Sequence, residues 1–332
     1  MAITPTLLDL QACSREPIHI PGAIQPHGIL ICIRSADATV LQVSANSAGT
    51  LGCEPETCLN EPLANCLGAE QAAAVETVLK SGETDFPITL RFRDVDYDTL
   101  VHRSGELAIL ELAPRTDDSN AWNQIHHRLT RTIADLQRSP DLPSLCDAAV
   151  QAIADLTGFD RVMIYRFDPE WNGEVIAEIK AEGMDPYLGL HYPASDIPEQ
   201  ARKLYLRNWL RLIVDASYEP APLLPVMNPD TGKPLDLSNS FLRSVSPVHL
   251  EYLRNMGVSA SMSISLIREG QLWGLIACHH RVPRDLSFAR RAACQLVGQI
   301  MSAEITNKEN AAHQAARLEV RAVQLRFFEH LA

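Results

Sequence analysis

Apolar positions along this chain switch between a strand-like period of two and a helix-like period near 3.6, and the switches mark out two α/β units joined by helix. Residues 28–33 form a continuous apolar run of strand length, and 40–44 form a second. Residues 45–52 read as a short helical piece. Three more strands follow at 86–92, 97–102 and 106–112, and in the first of them Phe86, Ile88, Leu90 and Phe92 share one face. A polar break at 116–120, rich in helix N-cap residues, precedes a helix over 121–136 with Ile125, Leu129, Ile133 and Leu136 at helical spacing. Ser139-Pro-Asp-Leu-Pro restarts a second helix, which Gly158 ends.

From Phe159 the strand period returns. Residues 161–167 and 173–179 read as a strand pair, and 259–267 with 272–280 as a closing hairpin. Between them, 183–242 is weakly regular, with one helical run at 198–212; long irregular stretches inside compact domains usually serve a function. Residues 288–331 read as almost continuous helix, in which Leu318, Ala322, Leu325 and Phe328 make one apolar stripe. Such a stripe suits a dimer interface and a monomer's own core equally. The fold class expected is α+β, two antiparallel sheets with flanking helices and a long C-terminal helix.

At 332 residues the chain can bury two cores. Its 41 acidic and 29 basic side chains give a net charge of −12, which argues against a general nucleic-acid binder. A local basic patch at Arg202, Lys203, Arg207 and Arg211 is compatible with that acidic whole. No apolar run approaches the roughly 20 residues of a membrane helix. The N-terminal arm lacks the basic start of a secretory signal, so a cytoplasmic location is expected. Cys53 and Cys58 are the closest of the eight cysteines and no CxxC occurs, so no metal site is expected and most thiols should be buried. Cys13 stands apart, in polar sequence on the arm.

Two motifs point to a ligand. Pro193-Ala-Ser-Asp-Ile-Pro198 holds Asp196 and Ile197 between prolines that stiffen the backbone. Ser246-Pro-Val-His-Leu-Glu-Tyr-Leu-Arg-Asn-Met-Gly257 sets His249 about two helical turns ahead of a glycine stop. Together with Cys13 and Glu16-Pro-Ile-His-Ile-Pro-Gly22, they closely resemble the chromophore-binding core of bacteriophytochromes, from about Cys13 to the chain's end. The resemblance implies an arm over 1–23, a PAS domain over 24–116, a connecting helix over 117–138, a GAF domain over 139–304 and a helix over 305–332 leading to a third domain absent from this sequence. It implies a red/far-red photoreceptor that carries biliverdin IXα and switches by isomerisation of the bilin's D-ring methine bridge. Members that attach the bilin in the GAF domain have a Cys immediately before the histidine; here that position is Val248, so the resemblance implies attachment at Cys13 on the arm, with Cys278 a competitor by proximity that strand alternation aims opposite to His279. The arm is expected to thread a GAF loop, knotted around Ile24, and the module to dimerise through GAF and C-terminal helices.

The resemblance also assigns side chains. Tyr205, Arg211 and Arg243 would hold one propionate, although Tyr205 and Arg211 lie roughly 120° apart on an ideal helix and periodicity alone does not pair them. Ser261 and Ser263, on one face of a strand with Ser265, would lie near the second propionate. His279, beside the D ring, would join that face if the Arg268–Gly270 loop has three residues and turn away if it has two. His249 would sit by the pyrrole nitrogens and Asp196 would accept from them through its carbonyl. Tyr252 would face Asp196, and Tyr165 and Tyr192 would wall the D ring. Ile197, Pro198, Ser246 and Met256 complete the set. Val245 stands where some relatives carry a hydroxyl residue beside the propionate.

Two other classes compete. One is a non-photoactive PAS–GAF sensor of a small ligand. The other is a hydrolase built on Cys278-His279-His280, but neighbouring strand residues point to opposite faces and no Gly-x-Ser-x-Gly or P-loop occurs. No enzyme is expected in this chain, although full-length relatives often carry a histidine kinase module.

Overall fold

The structure, a computed structural model, describes residues 16–82, 86–116 and 121–331; Cys13 lies outside the described residues. The chain begins with β1 (Ala23–Ile24), β2 (Ile29–Arg34) and β3 (Val40–Ser44), then four short-to-medium helices, α1 (Ala48–Leu51), α2 (Pro55–Cys58), α3 (Leu63–Leu67) and α4 (Ala69–Ser81). Strands β4 (Ile88–Phe92), β5 (Val95–Ser104) and β6 (Leu107–Pro114) lead to α5 (Ala121–Arg138) and α6 (Leu142–Thr157). Next come β7 (Arg161–Phe167), β8 (Gly173–Lys180), β9 (His191–Tyr192), α7 (Glu199–Arg207), β10 (Leu210–Ile213) and β11 (Ala221–Leu224). The chain closes with α8 (Pro247–Asn255), β12 (Ala260–Arg268), β13 (Gln271–His280) and α9 (Phe288–Leu331).

The chain divides into two compact units. Of the described residues, the first takes those up to 116 together with 197–262 and 280–288. Its sheet runs β1-β11-β3-β2-β6-β5-β4. One face is covered by Cys58, Leu63, Leu67, Ala72, Val75 and Leu79 of α2–α4. The other carries Ile24, Leu30, Cys32, Ile109, Leu223, Leu237 and Leu242. Coverage on both faces explains why β2 is a continuous apolar run and does not alternate.

The arm is bonded along both edges by one excursion of the later chain. Ile24 pairs with Ala221 of β11 on one side and bridges Arg243 on the other. The Leu223 N–H donates to Gly22 O, Gln25 N–H to Leu242 O, Ser244 N–H to Ala23 O and Leu237 N–H to His19 O. Ile24 has no exposed surface, so the contact is also apolar packing.

Two sequence expectations fail in this unit. Phe86 is no part of β4 and is 77% exposed; Pro87 restricts it and removes a ladder donor. The helical run expected over 198–212 stops at Arg207, because Asn208 turns extended (φ −108°, ψ 107°) and Leu210–Ile213 forms β10. Leu212 and Ile213 are buried there. Arg211 is therefore a strand residue, and the angular argument that separated it from Tyr205 does not apply.

Of the described residues, the second unit takes 121–196, 263–279 and 289–331. Its strands pair in the order β12-β13-β7-β8-β9. Helix α6 is delimited by its caps: Asp141 accepts from Ser144 N–H at 2.9 Å, and Gly158 takes φ +65°. Helix α9 is fastened to the hairpin. Ile267 N–H donates to Ser302 Oγ (2.9 Å), Trp273 Nε1 donates to Glu309 Oε1 (3.0 Å), and Arg268 pairs with Glu309. Leu318 is exposed, and the side chains of Ala322, Leu325 and Phe328 lie outside the described ones. Among the described residues no helix is long and apolar enough to cross a membrane.

Candidate chromophore site

In the first unit the site is built on β10, α8 and the stretch between Ser240 and Ser246. Helix α8 starts at Ser246, with Pro247 at its first position, where a missing N–H costs nothing. The Ser246 hydroxyl donates to the Glu16 carboxylate at 2.6 Å, tying the arm to the start of α8. Leu250 and Leu253 anchor the helix on Ile213, Ala216 and Val258, with Val245, Tyr218 and Met256 packed against them. The opposite face offers His249 and Tyr252, stacked at 6.2 Å between centroids. Crowding of the half-buried His249 by protein, together with Arg211, pushes its pKa down to about 4, so the imidazole is neutral at pH 7.

Arg211 donates through Nη1 to Phe241 O (3.0 Å) and through Nη2 to Arg243 O. Arg243 is buried, and its Nη1 has no hydrogen-bond partner among the described residues. Neither guanidinium forms an ion pair there. Burial, then repulsion from Arg211, pulls the Arg243 pKa down to about 9. Tyr205 on α7 lies close enough to influence both cations. Pro198 caps the start of α7, and Ile197 O accepts from Arg202 Nη1 at 2.8 Å. Ser261 is buried near the start of β12.

Sequence reading missed Tyr218. Its hydroxyl accepts from Val245 N–H (2.8 Å) and is 2.9 Å from Ser244 Oγ, so phenol and serine hydroxyls stand next to the apolar Val245.

In the second unit, Asp196 ends a 3-10 turn over Ala194–Asp196 and donates its N–H to Pro193 O at 3.1 Å. Asn172 Oδ1 holds the turn's start through Ala194 N–H (3.2 Å). Partial burial raises the Asp196 pKa, opposed by a hydrogen bond from Ser195. Tyr165 and Tyr192 are 5.9 Å apart by centroid, and Phe167 and Tyr187 continue the aromatic row. The Arg161 guanidinium lies 3.5 Å over the Tyr187 ring and pairs with Glu178 at 2.9 Å. Burial raises the Tyr192 phenol pKa.

The hairpin turn has two residues: Glu269 (φ 50°) and Gly270 (φ 77°) are its centre. A regular ladder would then turn His279 away from the serines. Yet Ile264 packs on Gly298 of α9, and Cys278 lies beside Cys294 of the same helix. Strand alternation therefore puts Ser263 and His279 together on the face away from α9, which requires an irregularity in the β12–β13 pairing. The same alternation separates Cys278 from His279 as nucleophile and base.

Comparison with known proteins decides the family. A PAS-fold model matches residues 13–115 and a GAF-domain model matches 141–307. The chromophore-binding domain of an unusual bacteriophytochrome, RpBphP3 from R. palustris, is matched over 99% of its length and 90% of this chain, at 44% identity and a TM-score of 0.86. The chain belongs to the bacteriophytochrome family. Its PAS–GAF module is also similar to the photosensory core module of a Stigmatella aurantiaca phytochrome (42% identity, TM-score 0.87, covering 97% of this chain and 64% of that one). Cyanobacterial phytochrome B of Nostoc sp. is 45% identical over 99% of this chain and 45% of its own length. A bacteriophytochrome of Xanthomonas campestris is 40% identical over all of this chain and 52% of its own. This bacteriophytochrome chain thus spans about half the length of the curated relatives it matches.

Proposed function

We propose that this bacteriophytochrome module is a red/far-red photoreceptor that binds biliverdin IXα through Cys13. The observation that carries the reading is the Arg211–Arg243 pair, two neighbouring guanidiniums, one of them buried, with no carboxylate in ion-pair contact with either among the described residues. A cation inside a protein with no carboxylate in direct contact is costly, and an anionic ligand lowers that cost. The forked, planar donors fit a carboxylate such as a bilin propionate. The bilin, when bound, supplies the conjugated system that absorbs red light and isomerises at its D-ring methine bridge.

In the first unit, Arg211, Arg243 and Tyr205 hold one propionate. Neutral His249 accepts or donates at the pyrrole nitrogens, and Tyr252, Ile197, Pro198, Ser246, Met256 and Ser261 shape the surroundings. In the second unit, Asp196 presents its carbonyl, Tyr165 and Tyr192 wall the D ring, Ser263 serves the other propionate and His279 the D-ring carbonyl. Attachment adds the Cys13 S–H across a vinyl C=C, so a C–S bond forms and no oxidant is needed. Cys13 is three residues before Glu16, at most about 10 Å of extended chain, and the Glu16 carboxylate is bonded to Ser246 at the start of α8. Val248 ahead of His249 supplies no competing thiol. The two-edged bonding of Ile24 supports a knot, and exposed Leu318 on α9, the first position of the apolar stripe, is consistent with a homodimer. The module acts in the cytoplasm and carries no catalytic activity of its own.

Mixing the purified chain with biliverdin tests this. A new red-absorbing band that changes under red light supports the photoreceptor. Failure of the folded chain to take up pigment contradicts it and favours the small-ligand sensor.

A further inference from the structure

A carboxylate of the first unit's sheet, not belonging to any ligand-binding motif, fixes the backbone that carries Arg243. Glu111 stands on β6, almost wholly buried at 1% exposure. Its Oε2 accepts from Ser240 Oγ at 2.5 Å and from Leu242 N–H at 2.7 Å, and its Oε1 from Phe241 N–H at 3.2 Å. His102 on β5 approaches the same Oε1 at 3.6 Å. One side chain thus satisfies three consecutive residues of a segment with no regular structure, more than 120 positions later in the sequence. A buried carboxylate is tolerated only when fully bonded, so its removal leaves donors stranded in the interior.

The next residue is Arg243. Its backbone is already gripped by the Ile24 bridge and by Arg211, which also takes the Phe241 carbonyl. β6, β10 and the arm thus all hold residues 240–244, with Leu237 and Tyr218 bonding Ser240 and Ser244 at the two ends. The Arg243 side chain is left with an unpartnered Nη1, so its aim depends on where that backbone is held.

We propose that Glu111 is a positioning residue for ligand-carboxylate recognition: by clamping residues 240–242 it fixes the place and direction of the Arg243 guanidinium. The inference rests on the bilin reading above and names the part of the ligand affected, a propionate. Glu111 touches no ligand. Its negative charge also moderates the two cations, so its loss has a charge effect of opposite sign, drawing an anion in more strongly. The clamp, acting through geometry, outweighs this.

The test compares Glu111→Gln with its parent, both carrying Cys13→Ser so that binding is reversible. Affinity is titrated with biliverdin and with biliverdin dimethyl ester, whose propionates carry no charge. Glu111→Gln is expected to weaken the acid by about tenfold, the scale of one charge-assisted hydrogen bond. It is expected to change the ester by less than about twofold. Ser240→Ala, which removes one of the three bonds and keeps the carboxylate, should show a smaller loss in the same sense, and it remains informative if Glu111→Gln does not fold. Equal losses for acid and ester would mean a merely structural role and overturn the inference, as would an unchanged or tighter acid. A wild-type chain that takes up biliverdin while the variants behave like their parent refutes the clamp alone. A wild-type chain that takes up neither pigment refutes the bilin reading, and the inference with it.

Discussion

The guanidinium of Arg211 is bonded to the main-chain carbonyl of Arg243, so one cation holds the backbone of another. Without a bound anion this arrangement is a liability: burial and like-charge repulsion pull the Arg243 pKa down to about 9. Replacing Arg243 by Met keeps most of the stem and removes the charge. The empty chain should become more stable by about 1–2 kcal/mol. Biliverdin affinity should fall. Thermal midpoints with and without pigment check both statements, and a destabilised empty chain would show that Arg243 has a partner after all.

His249 predicts a pH dependence of the empty protein. Its folded-state pKa of about 4 lies below the ordinary 6.5. Between these values the unfolded chain binds a proton that the folded chain refuses. Stability should therefore fall as the pH drops from 6.5 towards 4, by at most about 1.4 kcal/mol per pH unit from this group. Denaturant midpoints at pH 7 and pH 5 should separate less in His249→Gln than in the wild type. An identical separation would mean that His249 titrates normally.

Gly173 on β8 makes room for the Tyr165 ring. A Cβ there would come 1.7 Å from Tyr165 Cζ, so Gly173→Ala must displace the ring. A cost of about 1–3 kcal/mol is expected. Because Tyr165 is assigned to the D-ring wall, the pigment band of any loaded variant should also shift. Thermal unfolding and an absorption spectrum read the two effects, and an unshifted band would remove Tyr165 from that wall.

Glu309 fastens α9 by accepting from Trp273 and pairing with Arg268, both partly solvent-exposed contacts. Glu309→Ala should cost about 1 kcal/mol. Amide exchange should rise around residues 300–315, while β7 and α6 stay protected. Unchanged exchange there would show that Ser302 and apolar packing hold the helix unaided.

Much of this architecture is legible in the chain. β2, β3 and the β12–β13 hairpin follow from apolar runs. The ends of α6 follow from Asp141 and Gly158, residues whose cap roles are local. What is not legible depends on distant partners. Leu-Arg-Leu-Ile after a helix reads as more helix until burial of Leu212 and Ile213 in a sheet makes it β10. A single Glu111 in Leu-Ala-Ile-Leu-Glu-Leu looks like a solvent-facing residue; only the return of residues 240–242 supplies its partners. Helix α4, rich in alanine, carries too weak an apolar stripe to stand out. Arg268-Glu-Gly270 leaves two- and three-residue turns equally open, and the ladder irregularity behind His279 leaves no trace in the sequence.

The central claim, a bilin joined to Cys13, is tested most directly by loading the wild type and Cys13→Ser with biliverdin and staining a denaturing gel for zinc-enhanced bilin fluorescence. A band in the wild type that is absent from Cys13→Ser is the predicted result. A band that survives the substitution would contradict attachment at Cys13 and move the thioether to another cysteine.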